Sequence, residues 1–116
     1  LLALAVAAPA AVLAQEPKKD PPKAAKPPTT ADVPYGTHPR QVLDFYQAKS
    51  DSPTPVVFAI HGGGWVNGDK KGYAAAADKF NKAGVSVVAI NYRLVTQADE
   101  AGVKPPVKWP LEDAAR

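Results

Sequence analysis

A chain of 116 residues with 46% hydrophobic and 22% charged residues has the composition of an ordinary globular protein, which excludes collagen-like repeats and wholesale disorder. Its formal net charge of +3 comes from scattered lysines with no basic, aromatic-rich face, so neither DNA nor RNA is an expected partner. The absence of cysteine excludes a disulfide framework or a lipoprotein anchor in these residues and leaves folding to the core.

Residues 1–14 are uncharged and rich in Ala and Leu, and Val12, Leu13 and Ala14 before Gln15 have the small-residue spacing of a signal-peptidase site. This reads as a partial signal peptide of a secreted or periplasmic protein, its basic start lying upstream of Leu1. Spanning a bilayer takes about 20 apolar residues, and Pro9 interrupts this shorter run, so no stable membrane insertion is expected. Residues 15–34 set Pro17, Pro21, Pro22, Pro27, Pro28 and Pro34 among lysines and alanines, the composition of an extended, solvated linker. Glu16, Asp20 and Asp32 offset most of the charge of Lys18, Lys19, Lys23 and Lys26 there.

The folded part is expected over residues 35–116. Residues 41–48 read as a strand, and Ser50, Asp51, Ser52 and Pro53 as a turn. Residues 55–60 and 85–90 are nearly unbroken apolar runs rich in valine, the pattern of parallel strands covered on both faces. Between them Tyr73, Ala76, Ala77, Phe80 and Ala83 recur at helical spacing, and Gly84 stands where a left-handed helix cap is needed. Strand, helix and strand make one crossover unit, expected to be right-handed, of an α/β fold.

His61, Gly62, Gly63, Gly64 and Trp65 follow directly on the run 55–60, at the carboxyl end of a strand, where open α/β sheets bind ligands. A glycine run there can be a tight turn, a phosphate cradle, or a set of backbone N–H donors for a developing negative charge. Gly63 and Gly68 have the spacing of a phosphate-binding loop, but Asp69 replaces its lysine, and no serine or threonine follows Lys70 and Lys71. Of the serines, Ser50, Ser52 and Ser86, none stands on a Gly-x-Ser-x-Gly elbow. Gly84-Val85-Ser86-Val87-Val88 lacks the second glycine and sets Ser86 inside a strand. His38 lies beside Pro39 ahead of the first strand, and with His61 far off and no cysteine the chain has no metal-ligand spacing. Neither a metal nor another cofactor is expected. Asp99-Glu100 and Glu112-Asp113 read as solvated pairs, and Arg93 as a brace between loops.

Six short stretches, in order, resemble the α/β-hydrolase-fold esterase/lipase family related to bacterial feruloyl and acetyl esterases (BD-FAE-like). They are Tyr35-Gly36; Gln41-Val42-Leu43-Asp44-Phe45-Tyr46; His61 to Trp65 with Gly68; Gly84 with residues 85–90; Asn91-Tyr92-Arg93-Leu94; and Trp109-Pro110 with Glu112-Asp113-Ala114-Ala115. The resemblance implies the N-terminal part of an α/β-hydrolase sheet, mostly parallel strands with flanking helices and incomplete in these residues. The family's triad, in the order Ser, Asp or Glu, His, is then expected downstream of Arg116. It also implies that the N–H groups of Gly63 and Gly64 form the oxyanion hole, that His61 shapes the loop, and that Trp65 is a candidate acyl-pocket wall or aromatic prop.

The implied activity is hydrolysis of a carboxylic ester through an acyl-enzyme, on a small-molecule or polysaccharide ester such as an acetyl or feruloyl group. Without a nucleophile the chain alone is expected to be inactive. The rivals are an arylformamidase-like amidase, whose loop usually interrupts the third glycine, and a noncatalytic binding module on the same fold.

Overall fold

In the computed structural model, which describes residues 24–116, the chain enters the sheet at Thr30, earlier than the linker reading allows. The prolines thin out after Pro28, and the β-branched Thr29, Thr30 and Val33 suit a pleated strand. The edge strand β1 (Thr30–Pro34) pairs antiparallel with β2 (Val42–Tyr46). An edge position tolerates Pro34, which has no N–H to give a ladder. The register slips between Thr30 and Val33, and there Asp32, at φ 51°, donates its N–H to the Asp44 carboxylate at 3.0 Å. Residues 1–14, read as a signal peptide, and the start of the linker at residues 15–23 lie outside the described residues.

The elements of the crossover follow the sequence closely. Strand β3 (Val56–Ile60) leads through a 3-10 turn (Lys70–Tyr73) into α1 (Ala74–Lys82) and then β4 (Ser86–Ile90). Helix α1 ends in a Schellman arrangement: Val85 N–H bonds Phe80 O at 2.9 Å and Gly84 N–H bonds Asn81 O at 3.1 Å, with Gly84 at φ 78°. Two short helices, α2 (Val95–Glu100) and α3 (Lys108–Ala114), complete the described chain. The sheet order is β1-β2-β4-β3, with β3 and β4 parallel and β2 and β4 antiparallel, so the described sheet is mixed.

Strand β4 explains the layers. Its residues point alternately to opposite faces. Val87 and Ala89 pack with Tyr46, Ala59 and Ala77 beneath α1, while Val88 and Ile90 pack with Tyr92, Leu94, Leu43, Tyr35 and Ala114 on the side of α3. β4 is thus covered on both faces, as its apolar run requires. β3 is not: Val57 and Ala59 face α1, but Val56, Phe58 and Ile60 are exposed, Phe58 by 50%. Ser86 begins β4 fully buried, donating to or accepting from Thr54 Oγ1 at 2.7 Å and accepting the Ala48 N–H at 3.0 Å, which is a structural role.

One charge assignment needs correction. Asp113, read as half of a solvated pair, is buried and receives Arg93 Nη2 at 2.6 Å, Arg93 Nε and N–H at 2.9 Å each, and Gln41 Nε2 at 2.8 Å. It faces inward because α3 turns one side to the sheet, a helical phase that a short run of mixed residues does not disclose. Asp99 is exposed and pairs with Lys104, as a solvated group would.

Candidate active site

The loop from His61 to Asp69 leaves the carboxyl end of β3, and its residues 62–69 are exposed. Its shape follows from two carbonyls. Gly63 O accepts the N–H of Val66 at 3.1 Å and of Asn67 at 3.3 Å, closing a turn whose central residues, Gly64 and Trp65, sit at φ 61° and 67°. Both central residues at positive φ is the mirror-image type I′ geometry, easy for Gly64 and strained for Trp65. Gly62 O is held by His61 Nδ1 at 2.9 Å.

A trans peptide is planar, so each N–H points opposite to the carbonyl of the preceding residue. Gly62 O turned to the His61 ring therefore directs the Gly63 N–H away from it. Gly63 O turned into the turn likewise directs the Gly64 N–H outward. Among the described residues neither N–H has an acceptor. Two adjacent unpaired donors on an exposed loop at a strand's carboxyl end can receive an anionic oxygen.

The ring that fixes this geometry is itself fixed. His61 is buried and stacks on Tyr92 with centroids 4.3 Å apart and planes at 17°, and the Tyr92 hydroxyl donates to His61 O at 2.8 Å. Burial pushes the Tyr92 phenol up, so the hydroxyl keeps its proton for that bond. A Cβ at Gly68 would overlap the His61 ring and Gly62 O, and a Cβ at Gly63 would overlap Asn67 O. Glycine at these two positions is a packing requirement. Trp65 is 37% exposed, its ring 5.8 Å from Tyr92 and tilted by 60°, and Trp65 O accepts the Val95 N–H at 2.9 Å. It is no buried prop.

The loop's exit is tied down by groups the sequence did not single out. Asn91, just past β4, accepts the Lys70 N–H at 2.8 Å on Oδ1 and donates to Asp69 Oδ2 at 3.0 Å. Asp69 Oδ1 also accepts the Lys71 N–H at 2.8 Å. Burial would raise the Asp69 carboxyl, but the bonds from Lys71 and Asn91 outweigh it and lower its pKa. Lys70, only 2% exposed, reaches Asp44 at 2.6 Å and Asp32 at 2.8 Å. Burial works against its charge, yet the two carboxylates raise its pKa. Arg40, in the turn between β1 and β2, gives Nε to Tyr92 O at 2.7 Å and Nη2 to Gly68 O at 3.0 Å. Asp44, Asn91 and Tyr92 fell within the recognised stretches and Lys70 was weighed only as a phosphate ligand, whereas Arg40 is noticed only once the fold brings it to the loop.

His38 is engaged locally: its Nδ1 accepts the Arg40 N–H at 3.1 Å inside the same turn. Arg93, read as a brace between loops, instead ties the segment after β4 to α3 through Asp113, and its guanidinium lies 4.2 Å above the Trp109 ring. Among the described residues there is no cluster of His, Cys, Asp and Glu able to hold a metal, and no helix long and apolar enough to cross a membrane.

Comparison with known proteins places the fold. The chain is 36% identical over 74 residues to a kynurenine formamidase of Danio rerio, a match that covers 61% of the chain and 25% of that protein. Among solved structures it is similar to esterase B of Lactobacillus rhamnosis HN001, with a TM-score of 0.54 and 28% identity over 76% of this chain and 30% of that one. It shares the fold of a truncated carbohydrate esterase from gut microbiota, with a TM-score of 0.55 at 23% identity, covering 78% of this chain and 34% of that one. The chain thus spans about a quarter to a third of the proteins it matches. The BD-FAE family model matches residues 43–105, more than half of the chain and the whole of the glycine loop, and the chain belongs to that family.

Proposed function

We propose that this chain carries the oxyanion-binding part of a carboxylic-ester hydrolase whose nucleophile elbow and triad lie outside these 116 residues. The observation that carries the reading is the pair of unpaired N–H groups at Gly63 and Gly64, each aimed outward by the bond its peptide carbonyl makes. In the reaction a serine oxygen attacks the acyl carbon, the former carbonyl oxygen takes up the negative charge, and the two N–H groups receive it. Collapse expels the alcohol, and water then releases the acid from the acyl-enzyme. Removing one such donor costs roughly 10² to 10³ in kcat, whereas the covalent route does not exist without the serine. Family membership and the esterase neighbours support an ester as substrate, and acetyl or feruloyl groups on polysaccharide are the class we favour. Trp65, half-open beside the donors, is our candidate for a wall of the acyl pocket.

The test uses a p-nitrophenyl ester and a fluorophosphonate probe on the full-length protein and on residues 1–116 separately. Burst release of nitrophenol and covalent labelling by the full-length protein only is the expected result. Turnover by the 116 residues alone, or no labelling of the full-length protein, overturns the reading. The resemblance to a kynurenine formamidase favours an amide-cleaving relative as the second reading. Faster turnover of an N-formyl aromatic amine than of any ester would select it. We further propose export, on the strength of residues 1–14. Protein recovered outside the cytoplasm should then begin at Gln15, and an N-terminus retaining Leu1 would refute this.

A further inference from the structure

The bond that directs the Gly63 N–H needs a proton on His61 Nδ1, and a residue outside the loop touches the other ring nitrogen. His61 Nδ1 lies 2.9 Å from Gly62 O, a group that can only accept, and His61 Nε2 lies 3.4 Å from Arg40 Nη2, a group that can only donate. The Nη2 amino group has two hydrogens, and its second goes to Gly68 O at 3.0 Å. Arg40 Nε meanwhile holds Tyr92 O at 2.7 Å, on the residue whose ring stacks on His61.

We propose that Arg40 is a positioning residue that holds His61 as the Nδ1–H tautomer and so aims the Gly63 N–H into the oxyanion site. A donor at Nε2 excludes the other neutral tautomer, because two N–H groups would then face each other. The Nδ1 proton is thereby committed to Gly62 O, and the planar peptide carries the consequence to the Gly63 N–H. The same guanidinium pins Gly68 O, where the chain passes so close to His61 that no Cβ fits. A lysine is a point charge without the fork, so it cannot serve Tyr92 O, Gly68 O and Nε2 from one position. The hairpin of β1 and β2 thus acts on the loop as well as closing the sheet edge.

The proposal rests on the oxyanion reading only for its kinetic readout. The first experiment is long-range ¹H–¹⁵N correlation on the full-length protein at a pH above the imidazole range, which reports the protonated ring nitrogen of His61. Nδ1–H is expected in the parent. Arg40→Met, which keeps the stem and removes every donor, is expected to show a mixture with Nε2–H and a displaced Gly63 amide resonance. The second experiment is ester kinetics. Arg40→Met should lower kcat by on the order of 10- to 100-fold with little change in KM, and Arg40→Lys should fall between. The exposed Lys82→Ala variant serves as the unaffected control.

Nε2–H in the parent, or an unchanged tautomer and an unchanged kcat in Arg40→Met, overturns the proposal. So does a loss of rate no larger than the loss of folded fraction in urea. If Arg40→Met does not fold, Arg40→Lys carries the same comparison. If the full-length protein cleaves no ester, the functional reading fails, and the tautomer and the Gly63 amide still decide the role of Arg40.

Discussion

Alanine substitution along the loop should separate backbone conformation from packing, because Gly63, Gly64 and Gly68 differ in what a Cβ would meet. At Gly64, with φ 61° and open space, Ala suffers only the left-handed penalty, about 1–2 kcal/mol. At Gly63 the backbone sits at φ 120°, outside the left-handed well, and a Cβ would overlap the Asn67 carbonyl. Relief there means opening the turn and losing both bonds to Gly63 O, about 1 kcal/mol each, besides strain of about 1–3 kcal/mol. We expect roughly 3 kcal/mol or more for Gly63→Ala. Gly68→Ala drives the His61 ring off its place, so it should match Gly63→Ala in stability loss although it lies farther from the donors. The assay is the urea midpoint at constant slope for each variant of the full-length protein, with ester turnover measured alongside. Gly64→Ala should keep most of its stability, while Gly63→Ala and Gly68→Ala lose both stability and rate. Equal costs at Gly63 and Gly64, or an unperturbed Gly68→Ala, would refute the carbonyl-directed geometry.

The buried pair of Arg93 and Asp113 gives a second expectation. Asp113→Ala strands the guanidinium and should cost about 3–5 kcal/mol in urea, whereas removing the exposed Lys104–Asp99 pair should cost under about 1 kcal/mol. Similar losses for the two would contradict the burial. The same carboxylate predicts acid sensitivity: burial would raise Asp113, but bonds from Arg93 and Gln41 outweigh it and lower its pKa. A group lowered on folding contributes stability that is complete above its unfolded value near 3.8 and is lost as pH falls through the depressed folded value. The acid limb of stability against pH should therefore flatten in Asp113→Asn, and an unchanged limb would assign it to other carboxylates such as Asp69. Finally, residues 1–116 alone should self-associate through the open edge of β3 and the exposed Val56, Phe58 and Ile60. A monomer with one sharp unfolding transition would show that this surface is tolerated.

The strands were legible because their signals are local. Valine-rich runs bounded by turn residues give β3 and β4 to within a residue, and the alternation of Val87 and Ala89 against Val88 and Ile90 needs no partner to be seen. Helix α1 and its cap at Gly84 follow for the same reason. What stayed hidden depends on contacts distant in sequence. β1 owes its place partly to Asp32, which bonds Asp44 and Lys70, and proline content alone marked that segment as linker. Asp113 looks solvated until α3 is set against Gln41 and Arg93, 72 and 20 residues away in the chain. In the loop, the family resemblance pointed to the donors, but the groups that aim them, Arg40 and Tyr92, come from either side of it in sequence.

Those flanking groups explain why a glycine loop can be a fixed device. Glycines alone would leave the N–H groups free to reorient, and each reorientation during the reaction would subtract from stabilisation of the charge. Here the acceptors are used up: Gly62 O by His61, Gly63 O by Val66 and Asn67, and Gly68 O by Arg40. A peptide whose carbonyl is engaged cannot turn over without breaking that bond, at a net cost of about 1 kcal/mol and more where the carbonyl is left without water. The N–H groups are therefore directed from behind, by the bonds that the carbonyl side of each peptide makes. Substitutions at His61, Tyr92 or Arg40 should consequently act on rate before they act on substrate affinity.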